Sequence, residues 1–207
     1  MTWKVERWLA EVFPGETEIY SAYRHLPPRE FAIVSAAVID AALAEVIYLR
    51  LAKQDLEKEL ESFLGLDGDG RAPVASFGSR IQLGLLLGIL TLEDAEILKL
   101  IKNIRNDFAH RVNVTFLSPS IVKLTLKMHS IWLAKTQRLF DAKLMSGSTS
   151  SLHSLGQHLG KIPDAGHGLL LAVFTVYQAY FHRVHSRIEP LNDAVNLRDI
   201  EPTASKH

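Results

Sequence analysis

The sequence predicts an all-α fold, a bundle of about five to seven helices around a long central helix. Three observations lead there. Apolar residues make up 47% of the 207 positions and charged residues 22%, which suffices for a sizeable core. Glycine and proline gather in clusters that separate long stretches free of both. Within those stretches the apolar residues recur at helical spacing.

The elements follow in order. A short amphipathic piece, Trp3 to Phe13, precedes turn signals at Pro14-Gly15 and Pro27-Pro28. From Arg29 a long helix is expected to about Leu64, because neither Gly nor Pro interrupts the chain before Gly65. Its first half is apolar nearly all round, as a central core helix is, and its second half (Lys53, Gln54, Asp55, Glu57, Lys58, Glu59, Glu61) turns amphipathic and partly solvated. Gly65, Gly68, Gly70 and Pro73 mark a loop. Asp67-Gly-Asp69-Gly resembles the start of a calcium loop, but Val74, Ala75 and Ser76 stand where the bidentate glutamate belongs.

Ser76 is placed to N-cap a helix reaching about Leu90, in which Gly84 and Gly88, four apart, would let another helix approach closely. Thr91 and Asp94 form a capping box for a helix from about Leu92 to Ala109, with Ile97, Leu100, Ile101, Ile104 and Phe108 on its core face. Ser118-Pro119 begins a further helix to about Met145. Ser146 to Ser151 is a Ser-rich loop, and a last helix is expected from about Gly168 to Ile188, followed by a frayed tail from 190 to 207. The whole reads as one domain over 1–207.

Composition narrows the function. Lys plus Arg (23) equals Asp plus Glu (23), whereas a phosphate-tracking protein usually carries a basic excess. The chain has no Cys, which removes disulfides, thiolate catalysis and Cys-type zinc sites together. The opening Met-Thr-Trp-Lys-Val-Glu-Arg has charges where a signal peptide needs an apolar run. The apolar run Gly168 to Phe181 is shorter than the ~20 residues of a membrane span. A soluble cytoplasmic protein with no membrane segment is expected.

The chemistry concentrates at the end of the Leu92–Ala109 helix, in Arg105-Asn106-Asp107-Phe108-Ala109-His110. Opposite the core stripe fall Lys99, Lys102, Asn103, Asn106 and His110, candidates for contact with a partner or a nucleic acid, while Arg105 lies on the flank. Asn106 and His110 can meet, but Arg105 and His110 are five apart and diverge on an ideal helix. The plain reading is that Arg and His favour the helix C-terminal dipole while Lys and Asn solvate the outer face. Glu45 shares a face with Val34, Val38, Ala41 and Ala52, so burial is expected for it, and a buried carboxylate needs a cationic partner. Asp40, Glu45, Arg80 and Arg105 are therefore candidates for internal charge pairs.

His153 and His158 straddle Gly156, and His182 and His185 form at most a two-ligand set, so no metal or other cofactor is expected. No Gly-x-Ser-x-Gly elbow is present. If residues 76–110 were a helix-turn-helix, its second helix would offer Glu93, Asp94 and Glu96 to the bases, which disfavours direct DNA reading.

Ala75 to Leu90, then Asp94, then Leu100 to His110 together resemble the bacterial mannitol operon repressor family, and the helix around Asp40 to Leu51 fits the same pattern. The resemblance spans about residues 30–145, leaving a C-terminal helical extension over about 150–190. It implies an all-helical, homodimeric regulator of sugar-alcohol uptake genes that acts through a protein partner. The Arg105-to-His110 hexapeptide also resembles the Arg-x4-His motif of the HEPN superfamily, many of whose members are metal-independent ribonucleases with a site built across a dimer. On that resemblance Arg105 would stabilise the scissile phosphate, His110 would assist proton transfer, and Asn106 would orient the pair. Three readings remain: a partner-dependent regulator first, a ribonuclease second and a direct DNA-binding repressor third.

Overall fold

The computed structural model describes residues 26–52 and 56–141, together with six helical positions further on: Gly168, Leu170, Val173, Phe174, Tyr177 and Phe181. Among the described residues there are helices and no strands, as an all-α bundle requires. Five helices have defined bounds: α1 (Pro28–Leu51), α2 (Glu57–Leu64), α3 (Phe77–Leu86), α4 (Leu92–His110) and α5 (Pro119–Asp141). The expectations for Trp3 to Phe13, for Ser146 to Ser151, for the four histidines at 153, 158, 182 and 185, and for the tail lie outside the described residues.

Helix α1 is the centre. It packs against α2, α3 and α4, and α4 in turn packs against α3 and α5. Phe31, Val38, Ile39, Leu43, Val46 and Ile47 are at most 1% exposed. This helix is long and apolar enough to cross a membrane by length and composition. Here it is the core helix of the bundle, so its hydropathy reflects burial against protein on several sides. Residues from the later helical segment complete the same core: Phe174 meets Phe31 edge to face at 6.3 Å between ring centroids, and Tyr177 lies 6.1 Å from Phe181.

The expected helix from 29 to 64 is divided. Ala52 is extended (φ −56°, ψ 124°), and α2 starts anew at Glu57. The reason is tertiary. The Arg80 guanidinium donates from Nη1 to the Asp40 carboxylate and from Nη2 to the Leu64 carbonyl, at 2.9 and 2.8 Å. In one straight helix those acceptors would be about 36 Å apart, at 1.5 Å per residue. The chain must fold back between Leu51 and Glu57 for a single side chain to hold both.

Helix α2 ends on Gly65, whose left-handed φ of 66° lets Gly65 and Leu66 donate back to the carbonyls of Ser62 and Glu61. In the loop beyond, the Asp67 and Asp69 carboxylates accept the backbone N–H of Asp69 and Arg71 at 3.0 and 2.9 Å, so they shape the turn.

Ser76 caps α3 as expected, accepting the Ser79 N–H at 3.1 Å. The helix stops at Leu86 and not near Leu90, because Gly88 takes φ 69° and the Ile89 and Leu90 N–H groups return to the Gly84 carbonyl. The two glycines thus part company. A Cβ on Gly84 would sit 3.2 Å from Leu43 Cδ1 of α1, the close approach that was expected, whereas Gly88 has nothing within 4 Å and serves only to turn the chain. Gly84 is buried inside this chain, so the pair offers no small-residue seam to a second copy.

Candidate functional site

Helix α4 carries most of the candidate residues. Thr91 and Asp94 make the predicted capping box, with the Asp94 N–H donating to Thr91 Oγ1 at 3.2 Å and the Thr91 N–H to Asp94 Oδ2 at 3.1 Å. Ile97, Leu100, Ile101, Ile104 and Phe108 are all buried, which turns the opposite face outward. Lys99, Asn103 and His110 are exposed on it, while Lys102 and Asn106 are partly covered. Lys102 leans over the first turn of α3, its ammonium 3.2 Å from where a Gly78 Cβ would stand.

The hexapeptide closes α4. Arg105 is exposed, and its guanidinium donates from Nη1 to Asn106 Oδ1 at 3.0 Å. This corrects the expectation of an internal charge at Arg105: its flank of the helix opens to solvent. His110 is the last residue of α4 and exposed. Arg29 donates to the Ala109 carbonyl at 3.3 Å and so satisfies one of the free acceptors of the helix end, and Arg111 stands 3.9 Å from Asp107. The chain then turns through Phe116, whose ring packs at a tilt against Phe108 with centroids 4.9 Å apart, leaving Val112 and Leu117 on the surface. Within one chain the arrangement brings Asn106 to Arg105 and leaves His110 at the helix end.

The internal charge pair expected of Asp40 or Glu45 forms between Asp40 and Arg80. Arg80 is 8% exposed and spends its donors on Asp40, Leu64 and the Val74 carbonyl, the last at 3.0 Å from Nε. Burial raises the Asp40 pKa; the Arg80 charge and hydrogen bond, and more distantly the Arg105 charge, pull against it without cancelling it. Glu45 is half-buried. The face assigned to it is mixed, with Val38 buried and Ala41 exposed, because a helix buried on nearly every side has no single core face to read from a wheel.

A second buried charge cluster was not anticipated. Asp94 is 2% exposed, and beyond the capping box it binds two distant residues. Its Oδ1 accepts from Tyr177 Oη at 2.6 Å and from the Lys135 ammonium, and its Oδ2 accepts from Thr91 Oγ1 at 2.6 Å. Burial alone would raise this carboxyl, but hydrogen bonds from Lys135, Thr91 and Tyr177, with the Lys135 charge, outweigh it and hold the pKa below the ordinary value. Lys135 also lies 5.9 Å from the Tyr177 ring centroid, and Trp132 stands 6.4 Å from the same ring. The capping box was visible in the sequence. The partners, 41 and 83 positions away, follow no local spacing that could have revealed them.

Chemically, the Asp94 cluster is a fully engaged structural network, and the α4 C-terminal end is an open, hydrogen-bonding surface. Among the described residues no group of three or more His, Asp or Glu side chains is placed to hold a metal ion. Compared with family models, with curated proteins and with solved structures, the chain gives no match in any of the three.

Proposed function

We propose that this chain is a non-enzymatic transcriptional regulator of the mannitol operon repressor type, working in the cytoplasm on sugar-alcohol uptake genes through a protein partner. The observation that carries the reading is the contrast between the two ends of α4. The N-terminal end is tied down: Asp94 is buried and engaged by Lys135, Tyr177 and Thr91, and Glu93 stands beside it. A recognition helix presents those first turns to DNA bases, and here they are acidic and partly interior. The C-terminal end presents exposed Asn103 and His110 with half-covered Asn106 on one face, and exposed Val112 and Leu117 stand in the turn that follows. Polar hydrogen-bonding groups beside exposed apolar side chains suit a protein partner better than a phosphate backbone.

The deciding experiment is native affinity capture of the tagged chain from cells grown on a sugar alcohol, wild type beside Asn106→Asp/Val112→Asp. A partner retained by wild type and lost by the variant supports the reading. Retention of the same proteins by both, or a salt-sensitive operator shift by the purified chain alone, overturns it.

One observation favours a second reading, a metal-independent ribonuclease: Asn106 holds the Arg105 guanidinium at the surface, as a phosphate-binding group would be held. His110 lies five positions on, so such a site would need a second chain to complete it. Cleavage of an RNA pool in EDTA by wild type, abolished in His110→Ala of equal helicity, would establish that reading; no cleavage by wild type would exclude it.

A further inference from the structure

Three arginines gather at the C-terminal end of α4, and all three are exposed. Arg29, in the first turn of α1, sets its guanidinium on the Ala109 carbonyl at 3.3 Å. Arg105 stands four positions before Ala109, on the same flank of α4 and one turn back. Arg111 is the C-cap residue. A helix C-terminus draws cations to its free carbonyls, which accounts for one N–H of Arg29. It leaves most of the donors over. Among the described residues Arg29 makes its one hydrogen bond to Ala109 and Arg105 makes its one to Asn106 Oδ1, while Arg111 comes no nearer to Asp107 than 3.9 Å. A guanidinium carries several further N–H groups in a fixed fork. Because it only donates, the atom it meets on Asn106 is the carbonyl oxygen, and the Asn106 amide N–H groups stand beside it as further donors.

The nearby acids leave this cationic character in place. Asp40 feels the Arg105 charge but is bound to Arg80, and Asp107 is set against Arg111. Glu30 is exposed in the first turn of α1, and among the described residues it forms no ion pair with Arg29. The turn leaving α4 adds apolar surface, with Val112 83% and Leu117 73% exposed. Its aromatic rings point inward, since Phe108 and Phe116 are both buried. A single-stranded nucleic acid is held by bases stacked on exposed aromatic side chains. Among the described residues this end offers guanidinium groups and aliphatic side chains, with no exposed Phe, Tyr or Trp.

We propose that this end of α4 binds an acidic segment of a protein partner, Arg29 and Arg105 holding its carboxylates and Val112 and Leu117 receiving an apolar side chain beside them. The guanidinium fork matches a carboxylate with two parallel hydrogen bonds, and arginine beside apolar contacts is the composition of a protein interface. The proposal rests on the reading of the chain as a partner-dependent regulator, and it adds the chemistry of the partner and a residue from α1.

The test titrates three probes into the isotope-labelled full chain: a synthetic helical peptide with glutamates on one face and leucines on the other, its glutamine counterpart, and a single-stranded RNA oligonucleotide. The acidic peptide should shift the backbone amide signals of Arg29 and of Arg105 through Leu117, and its binding should weaken as salt rises. Arg29→Gln/Arg105→Gln should bind it at least about tenfold more weakly, as should wild type the glutamine peptide. Both arginines are exposed, so the variant is expected to keep wild-type helicity by circular dichroism. No shift at these residues, equal binding by the variant, or tighter binding of the RNA than of the acidic peptide overturns the proposal. A partner captured by wild type and lost by Asn106→Asp/Val112→Asp, with no binding of the acidic peptide, overturns this proposal alone. Peptide binding as expected with no partner captured supports the arginine site and overturns the regulator reading instead.

Discussion

Asp94→Asn isolates the charge of the buried network while keeping its shape. The carboxylate is 2% exposed and accepts from Lys135, Tyr177 and Thr91, with a pKa held below the ordinary range. Removing one partner of a buried ion pair costs about 3–5 kcal/mol when the survivor stays buried. Here the survivor is Lys135, whose side chain is 22% exposed and can turn toward water, which lowers the cost. The asparagine oxygen still accepts one hydrogen bond, in a neutral form roughly half as strong. The expected loss is about 2–4 kcal/mol, a fall in Tm of roughly 4–16 °C for a chain of this size. Asp94→Ala should lose about 1–3 kcal/mol more, because the Tyr177 hydroxyl is then buried with no acceptor at this position. Urea denaturation followed by circular dichroism measures all of these. Lys135→Met and the double variant complete a cycle, in which the double loss should fall short of the summed single losses by about 1–3 kcal/mol. If Asp94→Asn stays within about 0.5 kcal/mol of wild type, or the cycle shows no coupling, the network is not what secures this end of α4.

The pH dependence should separate the two buried acids. The Asp94 pKa is depressed on folding, so its stabilisation is full above the ordinary carboxylate value and fades as pH falls through the folded one; Asp94→Asn should flatten the acid limb of stability against pH. The Asp40 pKa is raised, so its contribution is full below the ordinary value and is lost as pH rises through the folded one; Asp40→Asn should change the profile in the opposite sense. Gly65→Ala should cost more than ~2 kcal/mol in chemical denaturation, since φ is 66° and the new Cβ would stand 2.8 Å from that of Ala75, while Gly70→Ala, with nothing within 4 Å, should be near neutral. Arg80→Lys keeps a cation beside Asp40 but cannot bridge to Leu64 and Val74 as well; it should lose about 2–4 kcal/mol and speed hydrogen exchange in α2 first.

What was legible in the sequence was what local physics decides. The caps at Ser76 and Thr91, the proline start of α5 and the buried stripe from Ile97 to Phe108 each depend on neighbours within a few residues, and each stands where expected. The α1–α2 break was not legible, because Ala52 and its surroundings contain no breaker; the fold-back is held by Arg80, a residue from another helix. Spacing alone cannot distinguish a packing glycine, as Gly84 is, from one that turns the chain, as Gly88 does. For the candidate site, the exposed row of Lys99, Asn103 and His110 followed from the helical wheel. The burial of Asp94 did not, since a carboxylate in a first helical turn is ordinarily a solvated cap.

The contrast between the ends of α4 also bears on where binding can act on this molecule. A helix end locked by a buried carboxylate, an ammonium and a phenol cannot take on a new partner without first losing that network. At the other end Phe108 is anchored on Phe116, but the residues beyond it are held by surface contacts, Arg29 on the Ala109 carbonyl and Arg111 near Asp107, which are individually weak and exchange readily with water or a partner. Opening should therefore be easiest around Ala109 and hardest around Asp94, and a partner that binds at His110 would act on the exposed end of α4 while Phe116 stays seated in the core. Hydrogen exchange should show this gradient along α4 in the free chain, with protection at the Asn106–Arg111 end rising when a partner is bound. Uniform protection along α4 in the free chain would mean that both ends are equally fixed, and that its C-terminal end is no more open to a partner than the other.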